Sequence, residues 1–148
     1  MTESALRHLE TPDELRACLP LMRELRPHLE DEEDFILRLE RMRQERYRLL
    51  AAMHQGAAVA LAGYRFQENL IYGRFLYVDD LVVAHDRRGE RWGAALLQHL
   101  EGIAHAHGCA RLVLDTGLSN ARAQRFYFRL GLLTSAIRFS KTPGAQAA

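Results

Sequence analysis

The sequence predicts an α/β fold: a mixed, mostly antiparallel central sheet flanked by helices, in the order β-α-α-β-β-β-α-β-α-β. Three observations carry this. Two helical stripes occupy most of residues 12–45. Closely spaced strand-like runs joined by short turns follow over 47–83, as in an antiparallel meander. A long helical pattern over 89–107 then separates the run at 71–83 from the run at 110–115, which predicts one right-handed crossover.

Residues 4–9 read as a first strand. Thr11, Pro12 and Glu14 form a helix-start signal, with a cap, a proline in the first turn and the partner of a capping box. Leu15, Leu19, Met22 and Leu25 continue that helix on one face. Pro20 predicts a kink or break within it, and Pro27 marks its end. A second amphipathic helix runs from Asp31 to about Glu45, with Phe35, Ile36, Leu39 and Met42 on one side. Its acidic start complements the helix dipole, or attracts a cationic acceptor.

Strands are expected at 47–53, 57–66 and 71–83, with turns at 54–56 and 67–69. The helix at 89–107 buries Leu96, Leu97, Leu100, Ile103 and Ala104, and Gly108 stops it. A strand at 110–115, a helix at 120–130 closed by Gly131, and a last strand at 132–140 complete the order.

With 148 residues, 48% hydrophobic and 26% charged, the chain fits one globular domain, placed at 1–141. The small residues at 142–148 read as a disordered tail. A formal net charge of +1 gives no electrostatic case for nucleic acid or an anionic membrane. The cysteines, Cys18 and Cys109, have neither disulfide-framework nor zinc spacing. His105 and His107, two apart, do not share a helix face, so no metal is expected. The start is acidic and lacks a signal-peptide core, and no apolar run reaches the roughly 18 residues of a membrane span. These features predict a cytoplasmic protein.

The most informative stretch is 81–97. An apolar strand ending in Leu81, Val82 and Val83 enters a basic, glycine-containing loop that opens directly into a helix. The first turn of a helix has unpaired N–H groups and a partial positive charge, which suit a diphosphate. Gly89 and Gly93 allow close backbone approach, and Arg87, Arg88 and Arg91 add charge. The pattern is neither a P-loop nor a Rossmann fingerprint.

Here the chain resembles the GNAT family of N-acetyltransferases. The family's Arg/Gln-x-x-Gly-x-Gly/Ala pattern is met by Arg88-Gly89-Glu90-Arg91-Trp92-Gly93, with Arg91 where glycine is usual. That exchange is tolerable at helical backbone angles, since only a positive φ strongly demands glycine. Arg91 contacts a phosphate or points to solvent. A second element, Asn120-Ala121-Arg122-Ala123-Gln124-Arg125-Phe126-Tyr127-Phe128-Arg129-Leu130-Gly131-Leu132, is similar to the family's Asn-x-x-Ala-x-x-Phe-Tyr-x-x-x-Gly-Phe. Leu132 replaces the usual Phe. The likeness is carried by residues 71–140; the first 70 match only in the order of elements.

The resemblance implies a GNAT-like fold that binds acetyl-CoA and releases CoA. Leu81, Val82, Val83, Arg88, Gly89, Glu90, Arg91, Trp92, Gly93, Ala94, Asn120 and Phe126 would line the cofactor. A bulge at the end of strand 71–83 would expose backbone groups to the pantetheine arm. Asn120 would hydrogen-bond that arm, and Tyr127 would assist the departing thiolate. Tyr127 also reads as half of a core pair with Phe126.

Asp79 and Asp80 interrupt an apolar strand, where carboxylates must be exposed or paired. Alternation would put them on opposite faces, so at most one serves the acceptor amine. Asp80 is the candidate, binding or deprotonating the amine, or else anchoring a loop through an arginine. Tyr64, Phe66, Tyr72, Phe75 and Tyr77 line an acceptor pocket or simply pack. The leading function is acetyl transfer to a primary amine of a small molecule or peptide, with a homodimer implied by the family alone. A non-catalytic acyl-CoA-binding module is the second class. An enzyme acting on aminoacyl-tRNA is the third, disfavoured by the charge balance. The acceptor and the acyl-chain preference are not encoded in any motif.

Overall fold

A computed structural model describes residues 4–144. The chain divides into two compact units, Met1–Leu114 and Asp115–Ala148. Of the tail expected at 142–148, residues 145–148 lie outside the described residues; 142–144 form no helix or strand.

The first unit holds a five-stranded sheet whose spatial order equals its sequence order. Its elements are β1 (Ser4–Leu9), α1 (Pro12–Leu25), α2 (Glu32–Gln44), β2 (Arg48–His54), β3 (Ala57–Asn69), β4 (Gly73–Val83), a 3-10 turn (His85–Arg87), α3 (Trp92–Ala106) and β5 (Arg111–Leu114). Strands β1 to β4 pair antiparallel, and β4 pairs parallel with β5. The mixed, mostly antiparallel α/β architecture is the one expected.

Local chemistry explains most boundaries. The capping box forms as read: Glu14 N–H donates to Thr11 Oγ1 at 3.2 Å, and Thr11 N–H donates to Glu14 Oε1 at 3.1 Å. Helix α1 continues through Pro20 to Leu25, so the proline does not end it. Pro27 favours extended backbone at Arg26, which is the C-cap with φ −123°. Asp31 caps α2 through the N–H groups of Glu33 and Asp34. The β2–β3 turn has Gln55 and Gly56 both at positive φ, the mirror-image turn that suits tightly twisted strands.

The next hairpin differs from the reading. Residues 67–69 belong to β3 and pair with 73–75, and the turn lies at 70–72. Asn69 sets it, its side-chain oxygen accepting from the N–H groups of Ile71 and Tyr72 at 3.1 and 2.8 Å. Gly73 resumes the strand at φ +74°.

Burial is continuous through the middle of β2 and β3, with successive side chains turned to opposite faces. Leu49, Ala51 and Leu61 join Leu15, Leu19, Met22, Phe35, Ile36 and Leu39 in the core under α1 and α2. Leu50, Ala52, Ala60 and Ala62 are equally buried and point to the other face, which α3 covers with Leu96, Leu97 and Leu100.

The second unit contains α4 (Ala121–Arg129), capped by Asn120 and closed by Gly131 at φ +88°. The strand expected at 132–140 is not assigned; these residues carry no helix or strand. Leu133, Ile137 and Phe139 are exposed, and an apolar run becomes a strand only when a ladder satisfies its N–H and C=O groups.

Candidate active site

Strand β4 supplies the framework. Beside it, β5 pairs only with 75–78, whereas β3 follows β4 to Val83. Beyond Val78, therefore, β4 has a ladder on one side and, among the described residues, no paired strand on the other. Alternate backbone groups of Leu81, Val82 and Val83 face that edge. Val82's side chain is buried in the α1–α2 core, so its backbone is what it offers a ligand.

The irregularity expected near the end of β4 is present. Gly63 faces Asp80 and Tyr64 faces Val78, which leaves Asp79 as the extra residue of a β-bulge. The bulge overturns the expected alternation: both carboxylates enter one cluster around Tyr47. Asp80 Oδ2 accepts from the Tyr47 hydroxyl at 2.8 Å, and Asp80 Oδ1 accepts from Arg26 Nε at 3.0 Å. Asp79 Oδ2 accepts from Arg65 Nε at 2.9 Å, and the Arg65 guanidinium lies 5.5 Å from the Tyr47 ring centre. Burial pushes the Asp79 carboxyl up from its ordinary range, outweighing the lowering by Arg65. Burial, reinforced by Asp80, pushes the Tyr47 phenol well up.

The loop after β4 ends in Arg91, which precedes α3 with φ 67° and ψ 21°. Arg91 thus occupies the left-handed region that favours glycine, not the helical angles that would make the exchange free. Gly89 is also left-handed, at φ +89°, and open space surrounds it. No side chain caps α3, so the first-turn amides of Trp92, Gly93 and Ala94 have no helical acceptor. Arg88 is extended and exposed beside them. The loop carries two acids, Asp86 and Glu90; Glu90 Oε1 accepts from Trp92 Nε1 at 2.9 Å and sits 3.7 Å from Arg87 Nη1. An uncapped helix start, open glycine backbone and three arginines fit a diphosphate-bearing ligand.

In the second unit, Asn120 Oδ1 accepts from Ala123 N–H at 3.1 Å, so the carbonyl serves as the cap and the amide nitrogen is left for other partners. Phe126 and Tyr127 are half-buried, their ring centres 5.5 Å apart. Burial raises the Tyr127 phenol above its ordinary pKa, which keeps its proton in place.

The structure adds four residues to those read from sequence: Arg26, Tyr47, Gly63 and Arg65. One signal was available. An isolated glycine inside a strand marks a bulge or a close approach, and a Cβ at Gly63 would collide with the Tyr47 hydroxyl and lie 2.8 Å from Asp80 Oδ2.

Comparison with known proteins follows this geometry. The family model described as "Acetyltransferase (GNAT) family" matches residues 9–132. Aminoalkylphosphonate N-acetyltransferase of Salmonella typhimurium is 32% identical over 96 residues, 64% of this chain and 61% of that protein. The chain thus aligns with about three-fifths of this relative's length. A Trypanosoma brucei acetyltransferase superposes with TM-score 0.80 at 23% identity, covering 95% of this chain and 99% of that one. An aminoglycoside N-acetyltransferase in complex with CoA gives TM-score 0.84 at 17% identity, covering 97% of each chain.

Proposed function

Because the chain belongs to the GNAT acetyltransferase family, whose acyl donor is acetyl-CoA, we propose that it transfers an acetyl group from acetyl-CoA directly to a primary amine of a small molecule. The observation that carries this is the uncapped start of α3, fed by the loop 88–91 from a β4 edge that β5 does not pair beyond Val78.

In this reading Arg88, Gly89, Arg91 and the amides of Trp92, Gly93 and Ala94 hold the diphosphate. The open edge at 81–83 takes the amides of the pantetheine arm, and its N–H groups polarise the thioester carbonyl. By family resemblance, Asn120 and Phe126 are assigned to the pantetheine arm as well. The acceptor nitrogen bonds to the carbonyl carbon, the carbon–sulfur bond breaks, and Tyr127 gives its proton to the sulfur. The ammonium form first loses one proton to water; the second proton, lost by the nitrogen after attack, restores the phenol, so one proton is released per turnover. The Asp80 carboxylate is already engaged by Arg26 and Tyr47; we assign it to holding the strand, with water carrying the amine's proton. Residues 1–141 act as one acyltransferase domain in the cytoplasm, where acetyl-CoA is available. The aminoalkylphosphonate relative makes amines bearing a phosphonate the first acceptors to try.

Calorimetric titration with acetyl-CoA and with CoA tests the reading, beside Arg88→Ala. Saturable binding weakened in the variant supports it and justifies screening amines by thiol release. A well-folded wild type that binds neither ligand rejects it.

A further inference from the structure

A bulge leaves its extra residue outside the ladder, so the carbonyl of Asp79 needs a partner from elsewhere. Arg26 provides it. Its Nη2 donates to the Asp79 carbonyl at 2.9 Å while its Nε donates to Asp80 Oδ1 at 3.0 Å. One guanidinium thus grips the backbone of one bulge residue and the side chain of the next, from the C-cap of α1, 54 positions away in sequence. The second grip is Tyr47, 2% exposed, on the other oxygen of the same carboxylate. The third is the missing side chain at Gly63, whose Cβ would occupy the space of the Tyr47 hydroxyl.

We infer that Arg26, Tyr47 and Gly63 lock the bulge at Asp79–Asp80, with Arg26 as a positioning residue that aligns the open backbone edge of Leu81–Val83 for acetyl transfer. The alignment part rests on the acetyltransferase reading; the lock itself does not. Register makes the consequence direct. The edge unpaired by β5 begins at the bulge and runs on to Val83, so any rotation there re-aims the edge-facing backbone groups among 81–83. A misplacement of about 1 Å in a reacting group can cost on the order of 100-fold in rate. Lysine cannot substitute, since a point-like ammonium lacks the planar fork that reaches two oxygens at once. The Arg26 side chain is 40% exposed, so a small guanidinium from solution can reach its place.

Two measurements on the full chain test this. Hydrogen exchange of the ligand-free protein is compared for wild type, Arg26→Ala and Tyr47→Phe. The expected result is faster exchange at residues 79–83 with β1 and β2 unchanged. Unaltered protection at 79–83 overturns the lock, whatever the protein's activity. Turnover is then measured with acetyl-CoA. Arg26→Ala should lower kcat by about 10- to 100-fold, keep the acetyl-CoA dissociation constant within about threefold because the loop supplies most of that binding, and recover in methylguanidinium. Unchanged kcat, equal loss of kcat and affinity, or absence of rescue overturns the positioning role. Should Arg26→Ala not fold, Arg26→Lys and Tyr47→Phe carry the same comparison, each expected to show the kcat defect. A wild type that fails to bind acetyl-CoA rejects the enzymatic reading, and the exchange result still decides the lock.

Discussion

Tyr127 holds its proton more tightly than a free phenol because burial disfavours the phenolate. In its proposed role as proton donor Tyr127 is active below its pKa, so raising that pKa extends the active form into alkaline solution. The expected kcat profile is therefore flat on the alkaline side until above about pH 10, the ordinary value for tyrosine. Tyr127→Phe should lower kcat by about 100-fold and leave acetyl-CoA affinity within about threefold; stopped assays of thiol release beside calorimetry check both. Gly63→Ala addresses the opposite kind of residue, one that matters for what it lacks. Its Cβ meets the Tyr47 hydroxyl, so overpacking should cost about 1–3 kcal/mol in urea unfolding. The role proposed for Tyr127 comes from a local motif, with Asn120, Ala123 and Tyr127 on one stretch of helix. Arg26 and Tyr47 were not legible in the sequence, because they lie 54 and 33 positions from Asp80. Two adjacent aspartates in an apolar strand announce that cations must be near, but not which ones.

At the level of elements, the loop before α3 shows where a pattern match and a backbone angle part company. Arginine stands in a left-handed conformation that costs an L-residue about 1–2 kcal/mol relative to the right-handed form. Arg91→Gly relieves this, less the extra freedom glycine has in the unfolded chain. The net expectation is about 0.5–1 kcal/mol of added stability, read from the denaturant midpoint at unchanged slope. Helices were legible to within a few residues because caps, prolines and glycines mark their ends. The β3–β4 turn was misplaced by a few residues because Gln67, Glu68 and Asn69 look like turn residues. What decides the register is Asn69 folding onto the amides of Ile71 and Tyr72. The run at 132–140 has strand-like composition, but composition does not supply a ladder partner.

For the whole molecule, ligand binding should be visible as stability. A ligand that binds only the folded state stabilises it by about 2.7 kcal/mol at 100 times its dissociation constant. For a chain of this size that corresponds to a rise in Tm of roughly 5–10 °C, measurable by scanning calorimetry with acetyl-CoA and absent with free pantetheine if the diphosphate site dominates. Trp92, the single tryptophan, sits in the first turn of α3 and should report the same event by fluorescence. The sheet class was legible because short turns force neighbouring strands together, whereas the parallel β4–β5 pair had to be inferred from the crossover helix.

The sequential order of the five strands also governs how the protein can be made. As a chain leaves the ribosome, each of β2, β3 and β4 emerges when its neighbour is already complete. The four-stranded antiparallel part can therefore close before α3 has been synthesised. Only β5 must wait for a whole helix, and its pairing is the shortest in the sheet. The nascent edge of β4 is thus exposed until late in translation, and only its lower half is then covered. Among the described residues no strand pairs with the upper half, so the surface proposed to receive the acyl donor is the part of that growing edge which β5 leaves uncompleted.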